Sequence, residues 1–315
     1  LALRAPEALD EARATHARTV RKHKFWQYVF NRQWTDLHEY CARRNLRLFG
    51  DLPIYVAEDS ADVWANQALF QLDENGRPTV VAGVPPDDYS DTGQRWGNPL
   101  YRWDVMAEHG YTWWRRRLAH ILERVDLVRV DHFRGFAGYW EIPAHESTAE
   151  NGRWVDGPGA DLFNALRDQL GTLPVVAEDL GLITPDVTAL RDQFDFPGMA
   201  VLHFAFGNGP SSDYLPHNYR PNTVAYTGTH DNNTTHGWWA GDALSSSDRQ
   251  FARDYLDLPP DAAPEVHWRC IRFLMASVAD RVIIPLQDVL GLGASARMNN
   301  PGNGEDNWTW RYAPD

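Results

Sequence analysis

Six short apolar, β-branched runs constrain this chain more than any other feature. They occupy residues 46–51, 126–131, 174–179, 199–203, 223–230 and 281–287, and helical patterns separate most of them. Strand and helix in alternation predict parallel βα units. A continuously apolar stretch such as Val175-Val176-Ala177 suits a sheet covered on both faces. A (β/α) TIM-type barrel is the single architecture that accommodates the pattern best. In such a barrel the reactive groups stand at the C-terminal ends of different strands. Here those ends carry Asp51, Asp131, Glu178, His203, Asp231 and Asp288, which predicts an acidic ring.

The rest of the chain is consistent with one large α/β unit or two. It has 315 residues, 43% hydrophobic and 23% charged, a globular balance that argues against disorder. A formal charge of -13, with the acidic excess downstream of residue 50, disfavours nucleic acid and anionic lipid as partners. Cys41 and Cys270 are the only cysteines, so neither a disulfide framework nor a cysteine metal site is expected. No run approaches the roughly 20 apolar residues of a membrane span, and the first residues lack a signal pattern, so a cytoplasmic protein is expected. Residues 7–45 read as helix, with Phe25, Trp26, Val29, Phe30, Leu37 and Cys41 forming an apolar stripe expected to pack on the core. Between residues 60 and 103 the rhythm breaks. Residues 69–82 predict a hairpin turned at Asn75-Gly76, and 83–103 predict a long irregular loop of the kind that serves as a lid. The 14 Trp, 12 Tyr and 13 Phe exceed what a core of this size needs, which marks some aromatics as ligand contacts.

The strongest chemical candidates are Asp131 in Arg129-Val130-Asp131-His132, Glu178 in Ala177-Glu178-Asp179 and Asp231 in Thr229-His230-Asp231. Each is an acid at the end of an apolar strand, where burial and neighbours shift a pKa. One such Asp can serve merely as a helix cap; three, two with a flanking His, suit cleavage of a glycosidic bond. That reaction by a retaining route needs a carboxylate nucleophile and a carboxylic acid about 5–5.5 Å apart. Arg129 lies two residues before Asp131 on one strand, so both side chains face the same way and the guanidinium would keep the carboxylate ionised. No phosphate-binding glycine loop with lysine and no metal-ligand spacing occurs, so neither nucleotide, cofactor nor metal is expected.

Several long motifs carry a resemblance. Gly50-Asp51-Leu52-Pro53-Ile54-Tyr55-Val56, Gly83-Val84-Pro85-Pro86-Asp87-Asp88-Tyr89, Gln94-Arg95-Trp96-Gly97-Asn98-Pro99-Leu100-Tyr101 and Arg129-Val130-Asp131-His132-Phe133-Arg134-Gly135-Phe136 are among them. Val176-Ala177-Glu178-Asp179-Leu180-Gly181, Gly228-Thr229-His230-Asp231-Asn232-Asn233-Thr234 and Ala296-Arg297-Met298-Asn299-Asn300-Pro301-Gly302 complete the set, with Asn307-Trp308-Thr309-Trp310-Arg311 near the end. The chain resembles the 4-α-glucanotransferases, the amylomaltase or disproportionating-enzyme family, which are relatives of the α-amylases. The resemblance implies an eight-stranded barrel acting on α-1,4-glucans and maltooligosaccharides without a cofactor or metal. It makes Asp131 the nucleophile, Glu178 the general acid and base, and Asp231 the transition-state stabiliser.

It also implies sugar contacts from Asp51, Tyr55, Tyr89, Trp96, Asn98, Tyr101, Arg129, His132, His230 and Asn299, with Trp96, Tyr89 and Tyr101 stacking on pyranose faces. Tyr55-Val56 stand where an α-amylase has Asn-His, which favours transfer over hydrolysis. An amylase-like hydrolase and an inert glucan-binding fragment are the alternatives. Only six strands are visible where a closed barrel needs eight, so residues 1–315 are expected to form the C-terminal two thirds of a longer catalytic barrel, with 60–103 inserted in it.

Overall fold

A computed structural model describes residues 1–87, 90–259, 265–302 and 305–313. The chain divides into two compact units, Leu1–Phe196 and Pro197–Asp315. In the first, the strands are β1 (Phe49–Pro53), β2 (Val80–Val84), β3 (Gln94–Pro99), β4 (Leu127–Asp131), β5 (Gly138–Pro143), β6 (Arg153–Asp156) and β7 (Val175–Ala177). In the second they are β8 (Gly198–Val201), β9 (Thr223–Tyr226) and β10 (Arg281–Ile283). Each of the six apolar runs overlaps one of the parallel strands.

In the first unit β1, β4 and β7 form a parallel sheet in that order, with Asp51 opposite Arg129 and Val130 opposite Ala177. The helix Thr112–Leu122 precedes β4 and Gly159–Leu170 precedes β7, which makes the parallel crossovers. Both faces of the sheet are covered, and Val128, Val130, Val175 and Ala177 are buried. Phe133, Phe136, Phe163 and Phe196 pack edge to face or stacked at 5.2–6.0 Å between ring centroids, directly behind the end of β4. In the second unit β10, β9 and β8 form another parallel sheet. Its core gathers Leu202, Phe206, Trp238, Leu256, Cys270 and Leu274.

Several expectations change. The helical region is two helices, Pro6–Thr15 and Ala17–Ala42, but the apolar stripe is not core: Phe25 is 61% exposed, and Trp26, Phe30 and Leu37 are also exposed. The helix docks instead through Trp34, His38 and Cys41. The Trp34 indole N–H donates to the Arg124 carbonyl at 2.9 Å, and His38 Nε2 lies 3.3 Å from Asp126 Oδ1. These residues also recur at helical spacing, so periodicity marked the helix and not the face that docks.

The segment 83–103, expected to be irregular throughout, supplies the end of β2 and the whole of β3, with the described residues between them irregular. β2 lies between β3 and β5 in an antiparallel ladder, β3-β2-β5-β6, whose hydrogen bonds override the Gly- and Pro-rich composition. The expected hairpin at Asn75-Gly76 is a short one: the Asp73 N–H donates to the Arg77 carbonyl at 2.8 Å and the Thr79 N–H to the Gln71 carbonyl at 3.0 Å. Asp73 Oδ1 accepts the N–H groups of Asn75 and Arg77, and Leu72 bridges Pro78. Finally, His203 and Asp288 do not stand in an open ring: β8 and β10 end before them, and both side chains are buried.

Gly83 is where β2 meets both neighbours, opposite Arg95 and Trp140. A β-carbon there would lie 2.2 Å from the Gln94 carbonyl oxygen and 2.6 Å from Ile142 Cδ1, and the first of these is backbone. Gly83→Ala is therefore expected to destabilise the protein by about 1–3 kcal/mol, as overpacking typically does. Chemical denaturation of the two proteins checks this; an unchanged midpoint would contradict the ladder.

Candidate active site

Strand β4 brings three charges together because alternate residues of a strand share a face. Arg129 Nη1 donates to Asp51 Oδ1 at 2.8 Å, and its Nη2 lies 2.5 Å from Asp131 Oδ1. Asp51 reaches it from β1, where it sits directly opposite Arg129 in the register. The Arg129 side chain is buried, whereas those of Asp51 and Asp131 remain 45% and 41% exposed. Its two carboxylate partners offset the cost of burying the guanidinium and hold its pKa above the ordinary value. The guanidinium thus fixes Asp131 as an oriented, accessible carboxylate.

Glu178 follows β7 and is tied to the neighbouring strand. Its N–H donates to the Val130 carbonyl at 3.0 Å, and its own carbonyl accepts from Phe133. One carboxyl oxygen accepts the backbone N–H of His132 at 2.7 Å and the other that of Leu180 at 2.9 Å. His132 takes the left-handed backbone conformation, φ 54°, where the chain leaves β4. Burial raises the Glu178 pKa most, and the Asp131 charge raises it further. Arg129 and the two amides oppose them, leaving it at about 7 against an ordinary 4.5. One carboxyl is thus ready to hold a proton near neutral pH, while the other is paired with a guanidinium.

The aromatic residues divide between floor and rim. His132 is held down to about pKa 3, first by burial and then by Arg134, so it is neutral. Its Nε2 is buried with no hydrogen-bond partner among the described residues, as a donor reserved for a ligand would be. The Trp96 ring meets the His132 ring edge-on at 4.7 Å and is 39% exposed. Asn98 Nδ2 donates to the Val56 carbonyl at 3.0 Å, joining β3 to the chain after β1.

Tyr101 corrects the expectation of a stacking lid residue. It is 1% exposed, and its hydroxyl donates to the Ile54 carbonyl at 2.7 Å. Arg117 reaches both that carbonyl and the Tyr101 hydroxyl from the helix Thr112–Leu122. Tyr101 therefore supports Tyr55, whose ring lies 6.0 Å away. Tyr55 is itself buried, within 6.4 Å of both Trp96 and His132. Trp103, Trp113 and Trp114 pack in the same core. Tyr89 lies outside the described residues.

In the second unit Asp231 is held by a segment that follows β10. Asn299 Nδ2 donates to Asp231 Oδ1 at 2.6 Å, and Arg297 Nη2 donates to the Asp231 carbonyl at 2.6 Å. The Asn299 N–H donates to the His230 carbonyl at 3.1 Å, and His230 Nε2 is 3.4 Å from Asp231 Oδ2. The Trp308 ring lies 5.2 Å from that of His230. Asn299 was legible in its motif; Arg297, two residues earlier in the same motif, was the signal for a role that went unassigned. No cluster of three or more His, Cys, Asp or Glu side chains able to hold a metal occurs among the described residues. Nor is any helix there long and apolar enough to cross a membrane.

A part-buried carboxyl able to carry a proton, near an arginine-paired carboxylate at a parallel strand end, is an arrangement suited to acid–base chemistry. The particular family follows from comparison with known proteins. The family model described as 4-alpha-glucanotransferase matches residues 1–315, and the chain belongs to that family. It is 52% identical over 316 residues to the 4-alpha-glucanotransferase of Thermus thermophilus, covering 99% of this chain and 63% of that one. The corresponding protein of Synechocystis is 51% identical over 318 residues, covering 100% and 62%. The fold matches a structure of amylomaltase from Streptococcus agalactiae in complex with acarbose with a TM-score of 0.95 and 39% identity, over 99% of this chain and 63% of that one. The chain thus spans about three fifths of the length of these relatives.

The raised pKa of Glu178 has a sign. Below about 4.5 the group is protonated both folded and unfolded; between there and about 7 only the folded state keeps the proton. Stability relative to Glu178→Gln is accordingly full at low pH and lost as pH rises through about 7. At about 1.4 kcal/mol per pH unit, discounted for partial solvent access, the loss is about 1–2 kcal/mol. Denaturation of both proteins at pH 4 and pH 8 measures it, and a difference independent of pH would refute the shift.

Proposed function

We propose that the protein is a retaining 4-α-glucanotransferase, which moves a segment of an α-1,4-glucan from a donor to the 4-hydroxyl of a second glucan or glucose. The observation that carries the reading is Glu178, with its pKa raised to about 7 in part by the charge of Asp131, together with the ion pair that holds Asp131 on Arg129. Family membership and the acarbose-bound structural relative support α-glucans as the substrate class.

In the first half-reaction an Asp131 oxygen attacks C1 of the donor. The glycosidic C1–O bond breaks, and the departing 4-oxygen takes the Glu178 proton. The product is a β-glycosyl ester on Asp131. In the second, the acceptor 4-hydroxyl gives its proton to Glu178 as its oxygen displaces Asp131 from C1, and the α-configuration returns. Asp231, with Asn299 and His230, is assigned to sugar hydroxyls, where bonds that tighten as the ring flattens lower the barrier. His132 Nε2 and Asp51 are assigned to sugar binding and positioning in the first unit. Trp96 offers a half-exposed ring for stacking. The parallel βα succession in each unit and the structural relative support a TIM-type barrel, residues 1–315 being its C-terminal part and 60–103 an insertion. We assign the protein to the cytoplasm.

Maltotriose supplied to the full-length protein is expected to give glucose and a ladder of longer maltooligosaccharides at a nearly constant number of reducing ends. Rising reducing ends would identify a hydrolase instead. Asp131→Asn and Glu178→Gln should each lower transfer by at least about 10²-fold, the usual contribution of such groups. Retention of full rate in either variant would overturn the assignment. Because the first step needs protonated Glu178, the rate should fall as pH rises through about 7.

A further inference from the structure

Asp288 is 1% exposed and takes no part in the chemistry proposed above, yet its carboxylate accepts three hydrogen bonds. Its Oδ2 accepts the Thr227 hydroxyl at 2.6 Å and the Thr235 hydroxyl at 2.8 Å, while its Oδ1 accepts the Thr235 backbone N–H at 2.7 Å. Thr227 follows β9, and Thr235 begins the helix Thr235–Ala240. Between them lies the segment that carries His230 and Asp231. A single carboxylate therefore grips both ends of that segment.

The bonds also settle the fourth member of the group. A carboxylate only accepts, so the single Thr235 hydroxyl proton goes to Asp288. The Thr235 oxygen must then accept from His203 Nε2, which lies 3.0 Å away. His203 is stacked flat on Trp238, at 4.7 Å and 8° between planes. The middle of the segment is held from the same stretch of chain as its ends. Gln287 Nε2 donates to the Ala296 carbonyl at 3.2 Å, and Arg297 and Asn299 then bind Asp231 and His230. Residues 287–299 thus clasp 227–235 at its two ends and its centre.

We propose that Asp288 is a positioning residue of the reaction, acting through Thr227 and Thr235 to hold Asp231 at the angle at which it meets the sugar. The inference rests on the assignment of Asp231 given above. It is distinct from a plain stability role, because an end-clamped segment can stay folded with its clamp loosened while Asp231 points wrongly. Misplacement of a catalytic group by about 1 Å costs on the order of 10²-fold in rate.

The test uses the full-length protein and maltotriose disproportionation. Thr227→Val and Thr235→Val keep shape and remove one donor each, whereas Thr227→Ser and Thr235→Ser keep the hydroxyl. Expected are falls in kcat of about tenfold or more in the Val variants, KM within twofold, near-native kcat in the Ser variants, and a double Val variant whose loss is not the product of the two single losses. Asp288→Asn should resemble the double variant; should it fail to fold, the threonine series still decides. Native kcat in folded Val variants, with only a lowered Tm, would overturn the proposal. Asp231→Asn is measured alongside. Loss of transfer there with intact Val variants sinks this inference alone, whereas full transfer by Asp231→Asn sinks the assignment of Asp231 and this inference with it.

Discussion

A guanidinium held between two carboxylates is the interaction on which the first unit's site depends. Arg129 is buried and could not remain so unpaired, since an isolated cation would face a desolvation cost of several kcal/mol. Asp51 and Asp131 offset that cost, and both are placed by the parallel register of β1 and β4. The charge arithmetic has a second effect. With the guanidinium shared between two neighbours, Asp131 is neutralised only in part, so its field still reaches Glu178 and helps to raise its pKa. The nucleophile candidate and the acid candidate are thus set by the same three charges.

Much of this was legible in the sequence because strand ends are local. An apolar run closing in an acid marked Asp131, the last residue of β4, and Glu178, which directly follows β7; β9 ends at Tyr226, so Asp231 lies beyond the strand in the loop that follows it. Arg129 was legible for the same reason, being two residues before Asp131 on the same strand. What could not be read depended on partners distant in the chain. Tyr101 looked like a lid aromatic until Arg117 and the Ile54 carbonyl were seen to hold its hydroxyl in the core. The β2–β3 ladder looked irregular because its pairing with β5 comes from residues some 60 positions on.

The amphipathic helix shows the limit from the other side. The periodicity of Phe25, Phe30 and Leu37 was a true helix signal, yet those side chains stand in solvent while Trp34, His38 and Cys41 make the docking face. Two apolar faces coexist on one helix, and only tertiary bonds distinguish them. Asp288 is similar. Its place after an apolar run suggested an open ring, but the chain turns into the short helix Leu286–Val289, and the side chain is spent on threonines.

The two amides on Glu178 lead to a last point. They come from backbone, at the turn after β4 and two residues beyond Glu178 itself, one on each carboxyl oxygen, and both favour the ionised form. On the acid–base role proposed for Glu178, a residue that gives up a proton in one half-reaction and recovers it in the next ordinarily has to be re-aimed between the two, at some entropic cost. Amides on both oxygens fix the carboxyl plane, so that under that proposal the proton would leave and return along one line with little reorganisation.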